Sequence, residues 1–187
     1  MATTSNFRNG LCFNHNGDPW KIESFLHVKP GKGPAFVRTK IRNLKTGKLL
    51  ENTFTSGVKI DVIRIENRKY QFLYAEKNDY HLMNNDDYEQ IIMIKDSIDN
   101  VQFLKEGDNI EVLFHADKGI PLSAQVPSHV LLEISFTEPG VKGNTATNTF
   151  KPAKTETGAD IQVPLFINEG DRIKIDTEKG AYIERVK

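Results

Sequence analysis

Residues 103–112 read FLKEGDNIEV, and a closely similar segment, FINEGDRIKI, occupies residues 166–175. Five of the ten positions are identical, the offset is 63 residues, and each copy runs on to another glycine turn, at 117–119 and 178–180. In both copies the Glu-Gly-Asp triplet predicts a tight turn, and the alternating residues after it predict a strand. Because such an offset suits a small five-stranded barrel, we expect two related barrels in tandem. The alternative is a chance recurrence of a common turn and strand.

Most of the remaining chain also consists of short alternating segments between turn signals. Hairpins are predicted around the turns at 45–48 and 77–79. Only residues 86–91 and 98–104 have patterns suited to a short helical turn. We therefore predict an all-β fold made of three small barrels.

Composition narrows the class of protein further. The 187 residues are 38% hydrophobic, and no run of 18 apolar residues is present, so no transmembrane helix and no membrane partner are expected. The first ten residues lack the apolar core of a secretory signal. Cys12 is the only cysteine, so neither an intramolecular disulfide nor a cysteine zinc site is expected. These features predict a cytoplasmic protein.

The net charge of zero hides an uneven distribution. Residues 1–64 hold 11 Lys/Arg and 4 Asp/Glu, residues 65–127 hold 6 and 12, and residues 128–187 hold 8 and 9. A basic first third on a neutral chain predicts an end that faces a polyanion. The three segments correspond to the three predicted domains.

The basic segment contains a loop centred on one lysine. From Lys29 to Lys48 there are seven Lys/Arg and no acidic residue. Two prolines, which fix φ, and two glycines, which permit unusual backbone angles, surround that lysine and predict a tight projecting tip. The loop consists of Lys29, Pro30, Gly31, Lys32, Gly33 and Pro34.

A basic strand is predicted directly after this loop. Arg38, Lys40 and Arg42 fall on one face of the strand, at a spacing of about 7 Å that suits a phosphate backbone. The alternative reading is a plain turn followed by the solvated face of an edge strand.

Several catalytic and ligand-binding patterns are absent from the sequence. Gly31-x-Gly33 lacks a third glycine and opens no helix, and there is no P-loop. The five histidines are scattered, without HExxH or another metal-binding spacing, and no GxSxG occurs. We therefore expect no metal, no cofactor and no enzymatic activity.

Four motifs in order resemble the bacterial elongation factor P family, and the resemblance covers the whole chain. They are KPGKGPAF at 29–36, RNLKTG at 42–47, HLMNN with YEQ between 81 and 90, and the spaced residues from Lys151 to Gly170. The resemblance implies a KOW-like barrel at 1–64 followed by two OB-fold barrels at 65–127 and 128–187, in an L shape similar to tRNA.

The resemblance also implies the function. Members of the family bind the ribosome between the P and E sites, beside the peptidyl-tRNA, and relieve stalling at consecutive prolines. The implied partners are the ribosome, the P-site peptidyl-tRNA and ribosomal RNA, and we expect a monomer. Lys32 would position the peptidyl-tRNA, whereas Arg38, Lys40 and Arg42 would meet RNA phosphates.

Three further features follow from the resemblance. Tyr182 and Arg185 match a tyrosine-arginine pair used near tRNA and the small subunit. Gly143, Asn144 and Thr145 stand where the family has a Gly-Asp-Thr loop that faces the E-site codon. In several branches an enzyme modifies the tip lysine, but Pro34 makes this loop similar to a branch that uses a bare lysine, so we expect Lys32 to work unmodified.

Two other readings remain open. A general OB-fold protein that binds single-stranded RNA would interleave aromatic and basic residues on one barrel face, whereas the N-terminal phenylalanines have core spacing. A diverged paralogue of the family usually lacks a lysine at the tip, where this chain has Lys32.

Overall fold

A computed structural model describes residues 2–139 and 150–186. Within these ranges the regular structure consists of strands and of three 3-10 turns, at Thr4–Asn6, Lys95–Ser97 and Val101–Phe103. The all-β prediction is therefore confirmed. No helix in the described ranges is long and apolar enough to cross a membrane.

The helical turn predicted at 86–91 is wrong. Tyr88 has a φ of 63°, in the left-handed region, which cannot continue a right-handed helix. The side chain of Asn84 accepts a hydrogen bond from the backbone of Asp86 at 2.9 Å, and the next strand already begins at Gln90. A local side-chain bond thus favours a turn at this point.

The first sheet is antiparallel, with the strand order β1-β6-β2-β3-β4-β5. Its core is aromatic and aliphatic and is centred on Phe13, Ile22 and Ile41, which are almost fully buried. Burial of these apolar side chains is the main source of the sheet's stability. The strands are β1 (Ala2–Thr3), β2 (Cys12–His15), β3 (Asp18–Val28), β4 (Phe36–Asn43), β5 (Leu49–Thr55) and β6 (Lys59–Val62).

The second and third sheets follow in sequence. The second has the order β10-β12-β11-β7-β8-β9, and the third β15-β14-β13-β16-β17. The strands of the second are β7 (Ile65–Glu76), β8 (Asp79–Asn84), β9 (Gln90–Ile94), β10 (Ile98–Asp99), β11 (Asn109–His115) and β12 (Ile120–Gln125). Those of the third are β13 (His129–Thr137), β14 (Phe150–Thr155), β15 (Asp160–Pro164), β16 (Arg172–Asp176) and β17 (Ala181–Val186).

Contacts divide the chain into two compact units. One comprises Met1–Arg68 with Val112–Ala124, and the other comprises Lys69–Glu111 with Gln125–Lys187. The predicted boundaries after residues 64 and 127 follow the sheets instead of these units, and they stay predictions.

The internal repeat corresponds to one hydrogen-bonded motif that occurs twice. Gly107 donates its N–H to the Phe72 carbonyl at 2.8 Å, and Phe72 donates to the Asp108 carbonyl at 2.9 Å. In the second copy Gly170 and Asp171 make the same two bonds with Ile134, both at 2.9 Å. Both glycines have positive φ, 89° and 82°, as a tight turn requires. The chance-recurrence alternative does not account for these matched bonds.

His115, at the end of β11, is buried without a polar partner. The residue is 5% exposed, and neither ring nitrogen has a hydrogen-bond partner in the described part of the protein. We expect His115→Leu to raise the free energy of unfolding by about 1–3 kcal/mol, because the desolvation cost of the nitrogens is removed. Urea unfolding of the full chain measures this change. The exposed His129→Leu is the control, and a loss of stability in His115→Leu would contradict the expectation.

Candidate nucleic-acid interface

The lysine loop connects two long paired strands of the first sheet. The last residue pair of β3 and β4 is Val28 with Phe36, so residues 29–35 form the connection. Gly31, Lys32, Gly33 and Pro34 are all exposed. Lys32 makes no hydrogen bond or ion pair with the described residues. The amine therefore projects into solvent, where a ligand can reach it.

The base of this loop is held in place. β4 lies between β3 and β5, with backbone pairing on both sides. The carbonyl of Ala35 accepts a hydrogen bond from Ser56 N–H at 3.0 Å, which extends the pairing toward the loop. Rigid support reduces the entropy lost when a loop binds its target.

The two glycines of the loop differ in backbone conformation. Gly33 has a φ of +105°, whereas Gly31 lies outside the left-handed region, and neither would place a Cβ within 4 Å of another atom. We expect Gly33→Ala to strain the loop and to lower the free energy of unfolding by about 1–3 kcal/mol, with Gly31→Ala as the matched control. Urea unfolding of the full chain measures the loss of stability in both variants. Equal losses in the two variants would contradict this explanation.

The strand after the loop has the alternation expected from the sequence. Val37, Thr39 and Ile41 are buried, whereas Arg38 and Lys40 are exposed on the other face. The guanidinium of Arg38 lies 5.7 Å from the centre of the Phe36 ring. These two cations are neighbours on one open face, as phosphate binding requires.

Arg42 differs from the other two cations because an acidic side chain already binds it. Its Nε donates to Glu23 at 2.8 Å and its Nη1 donates to the Gly47 carbonyl at 3.3 Å. The hydrogen bond from Arg42 is the main cause that lowers the pKa of the Glu23 carboxyl group below its ordinary value. Much of the Arg42 charge is therefore offset within the sheet.

A groove that the residue pattern does not predict lies beside Arg38 and Lys40. It has a volume of about 500 Å³. Its walls include the two cations, and the register of β3 shifts between Ile22 and Ser24 beside it. Such a shift depends on backbone geometry that a residue pattern does not encode. The groove is lined by Ser24, Phe25, Leu26, Arg38, Thr39, Lys40, Glu51, Asn52 and Thr53.

Tyr182 and Arg185 lie in β17, the last strand in the order of the third sheet. Tyr182 pairs with Ile175 and Arg185 with Ile173, and the register shifts between the two pairs. Arg185 contacts Asp171 at 3.4 Å. Tyr182 lines a cleft of about 530 Å³ that includes Phe150, Pro152 and Gln162.

One predicted site falls in a part of the chain that the structure does not describe. Gly143, Asn144 and Thr145 lie outside the described residues. In the ranges 2–139 and 150–186 no group of three or more His, Cys, Asp or Glu side chains is arranged to hold a metal ion.

Three family models match the chain in series. They are the elongation factor P KOW-like domain at residues 3–60, the elongation factor P OB domain at 65–122 and the elongation factor P C-terminal domain at 130–185. Each model falls within one of the three predicted domains.

Full-length relatives agree with these models. Elongation factor P from Flavobacterium psychrophilum is 58% identical, that from Flavobacterium johnsoniae 57% and elongation factor P 1 from Porphyromonas gingivalis 54%, each over 100% of both chains. A solved structure of eukaryotic translation initiation factor 5A from Methanococcus jannaschii matches with a TM-score of 0.52 and 20% identity, over 65% of this chain and 86% of that one. The structural match supports the fold alone.

Proposed function

The chain belongs to the elongation factor P family of translation elongation factors, and from that premise we propose that Lys32 positions the peptidyl-tRNA in the ribosome. As a member of this family the protein is a translation factor that interacts with the ribosome, and it is not an enzyme. The proposed site of action lies between the P and E sites, at ribosomes stalled on consecutive prolines. The protein would act in the cytoplasm as a monomer.

The observation that supports this proposal is the exposed, unpaired Lys32 at the tip of a supported loop. Proline is a constrained substrate with fixed φ, so misalignment of the reacting groups contributes much of the barrier to peptide bond formation. A cation on a rigid loop lowers that barrier by holding the acceptor end of the tRNA in a reactive geometry. The ribosome itself performs the chemistry.

The exposed cations of β4 would bind tRNA or ribosomal RNA phosphates. We expect Arg38→Gln and Lys40→Gln each to reduce the slope of log binding constant against log salt by about 1, since each removes one phosphate contact. Arg42→Gln should change the slope less, because Glu23 already offsets its charge. Ribosome co-sedimentation across a salt series measures the slopes. Equal slopes for all three variants would contradict the assignment.

The C-terminal sheet would supply a second RNA contact. Tyr182 and Arg185 of β17 would supply an aromatic ring and a cation, two groups that suit a nucleotide. The segment with Gly143, Asn144 and Thr145 would face the E-site codon region. Asn144 keeps a hydrogen-bonding carbonyl but loses the charge of an aspartate and gains an N–H donor, so its contact with the codon would differ from that of the family's aspartate.

Lys32 is proposed to act without modification. Pro30 and Pro34 restrict the loop, so an extension is not needed to fix the position of the amine. Intact-mass measurement of protein from its native host tests this point. A stoichiometric addition that peptide mapping places on Lys32 would contradict it and would implicate a lysine-modifying enzyme.

The proposed function is tested by the rate of peptide bond formation on purified ribosomes that lack endogenous factor. One template encodes three consecutive prolines and a matched template encodes three phenylalanines. The protein should accelerate synthesis on the proline template and leave the phenylalanine template nearly unchanged. Equal effects on both templates, or binding to ribosomes without acceleration, would contradict the proposal.

A further inference from the structure

An apolar patch covers the exposed face of β7, β8 and β9. Tyr74 stacks on His81, with 4.3 Å between ring centres and an angle of 16° between planes, and His81 is paired with Ile92 on the next strand. Tyr74 is 46% exposed, Ile92 59% and Ile94 57%. We call Tyr74, His81, Ile92 and Ile94 the β9 face. Exposed apolar side chains grouped in this way are typical of a protein interaction site.

The same strand leaves one edge of its sheet open. β9 is the last strand in the order of its sheet, and within the described residues no strand pairs with its outer side. Asn84 donates to the Glu89 carbonyl at 2.8 Å, and Lys95 donates to the Asn78 carbonyl at 2.8 Å. In an antiparallel ladder these bonds imply that Ile92 and Ile94 direct their N–H and C=O groups away from β8. An added strand could bind these groups.

Acidic side chains surround the β9 face. Three exposed lysines, Lys69, Lys77 and Lys95, lie among them in the described part of β7, β8, β9 and their connections. The acidic residues are exposed, and none of them makes an ion pair with the rest of the described chain. They are Glu76, Asp79, Asp86, Asp87, Glu89 and Asp96.

This charge distribution indicates which kind of molecule could bind at the free edge of β9. RNA would be repelled by the acidic residues. A second copy of the chain would bring two acidic edges together, which is also unfavourable. A basic, extended protein segment satisfies both the unpaired backbone and the surrounding carboxylates.

We propose that the free edge of β9 binds a lysine- or arginine-rich extended segment of a partner protein, which adds to the sheet as a further strand. Main-chain bonds to Ile92 and Ile94 hold the segment, and its alternate side chains pack on the β9 face. The carboxylates around the patch determine the preference for a basic partner. This interaction is separate from the contacts proposed for the lysine loop.

The test uses the isolated full-length protein and a synthetic peptide of alternating valine and lysine or arginine. Amide chemical shifts in the NMR spectrum should change at Ile92, Ile94 and Tyr74, whereas a peptide with glutamate in place of the basic residues should cause no change. Ile92→Pro removes the outward N–H and part of the apolar side chain but breaks no hydrogen bond to β8, and it should weaken binding about tenfold or more, while Ile92→Val keeps the N–H and should bind normally. Thermal unfolding verifies that both variants are folded.

Three outcomes would overturn the proposal. The first is a set of shift changes located elsewhere, or none. The second is binding of a single-stranded RNA oligonucleotide at the same amides. The third is a dimer of the protein alone, seen by sedimentation, that Ile92→Pro dissociates. None of these results depends on ribosomes, so the proposal can fail while the proposed function stands.

Discussion

Lys32→Ala should lower the maximal rate of peptide bond formation at consecutive prolines by about 10- to 150-fold. A hydrogen bond to a charged group contributes about 1.5–3 kcal/mol, and that energy corresponds to this range of rates. The loss should appear in the rate at saturating factor. The concentration that gives half of the effect should change little, because a positioning group acts mainly in the transition state.

Two variants define the role of the amine. Lys32→Arg keeps the charge on a longer, planar group and should retain part of the activity. Lys48→Ala removes another exposed lysine, in the turn after β4, and should have nearly full activity. Lys32→Ala should unfold at the same temperature as the wild type, because Lys32 makes no polar contact with the described residues. If Lys32→Ala left the maximal rate unchanged and only weakened binding to the ribosome, Lys32 would contribute to affinity and not to positioning of the tRNA.

Phe13→Ala should destabilise the first sheet by about 3–5 kcal/mol. Phe13 is 1% exposed, and its ring centre lies 5.7 Å from that of Phe7 and 5.8 Å from that of Phe54. Its removal leaves a cavity in the core on which β3 and β4 pack. Because these strands support the lysine loop, acceleration at consecutive prolines should fall together with stability.

The control for this prediction is an aromatic residue of the same type outside a core. Phe136 in β13 is 58% exposed, and Phe136→Ala should change the free energy of unfolding by no more than about 0.5 kcal/mol. Urea unfolding, followed by circular dichroism, measures both variants. Similar losses in the two would show that Phe13 is not a central packing residue.

Two features with a local signal, the Glu-Gly-Asp turns and the alternation of β4, were predicted correctly from the sequence. The two Glu-Gly-Asp turns contain the glycines with positive φ that their motif requires. The alternation in residues 36–43 correctly separated buried Val37 and Ile41 from exposed Arg38 and Lys40. Periodicity and turn chemistry depend on neighbouring residues, so a sequence alone reveals them.

Features that depend on distant residues were not predictable. The partner of Arg42 is Glu23, on the neighbouring strand, and only the folded register brings the two together. The register shifts in the pairing of β3 with β4 and of β16 with β17 also appear only in the folded chain. The open edge of β9 likewise follows from the order of strands in the sheet.

The most direct test of the central claim is translation of a three-proline reporter with unmodified recombinant protein on ribosomes lacking endogenous factor. The proposal predicts that the bare protein restores full-length product to well above the level without factor, because the supported loop already holds Lys32 in place. No increase in product, while the protein still co-sediments with ribosomes, would contradict the claim that an unmodified Lys32 is sufficient.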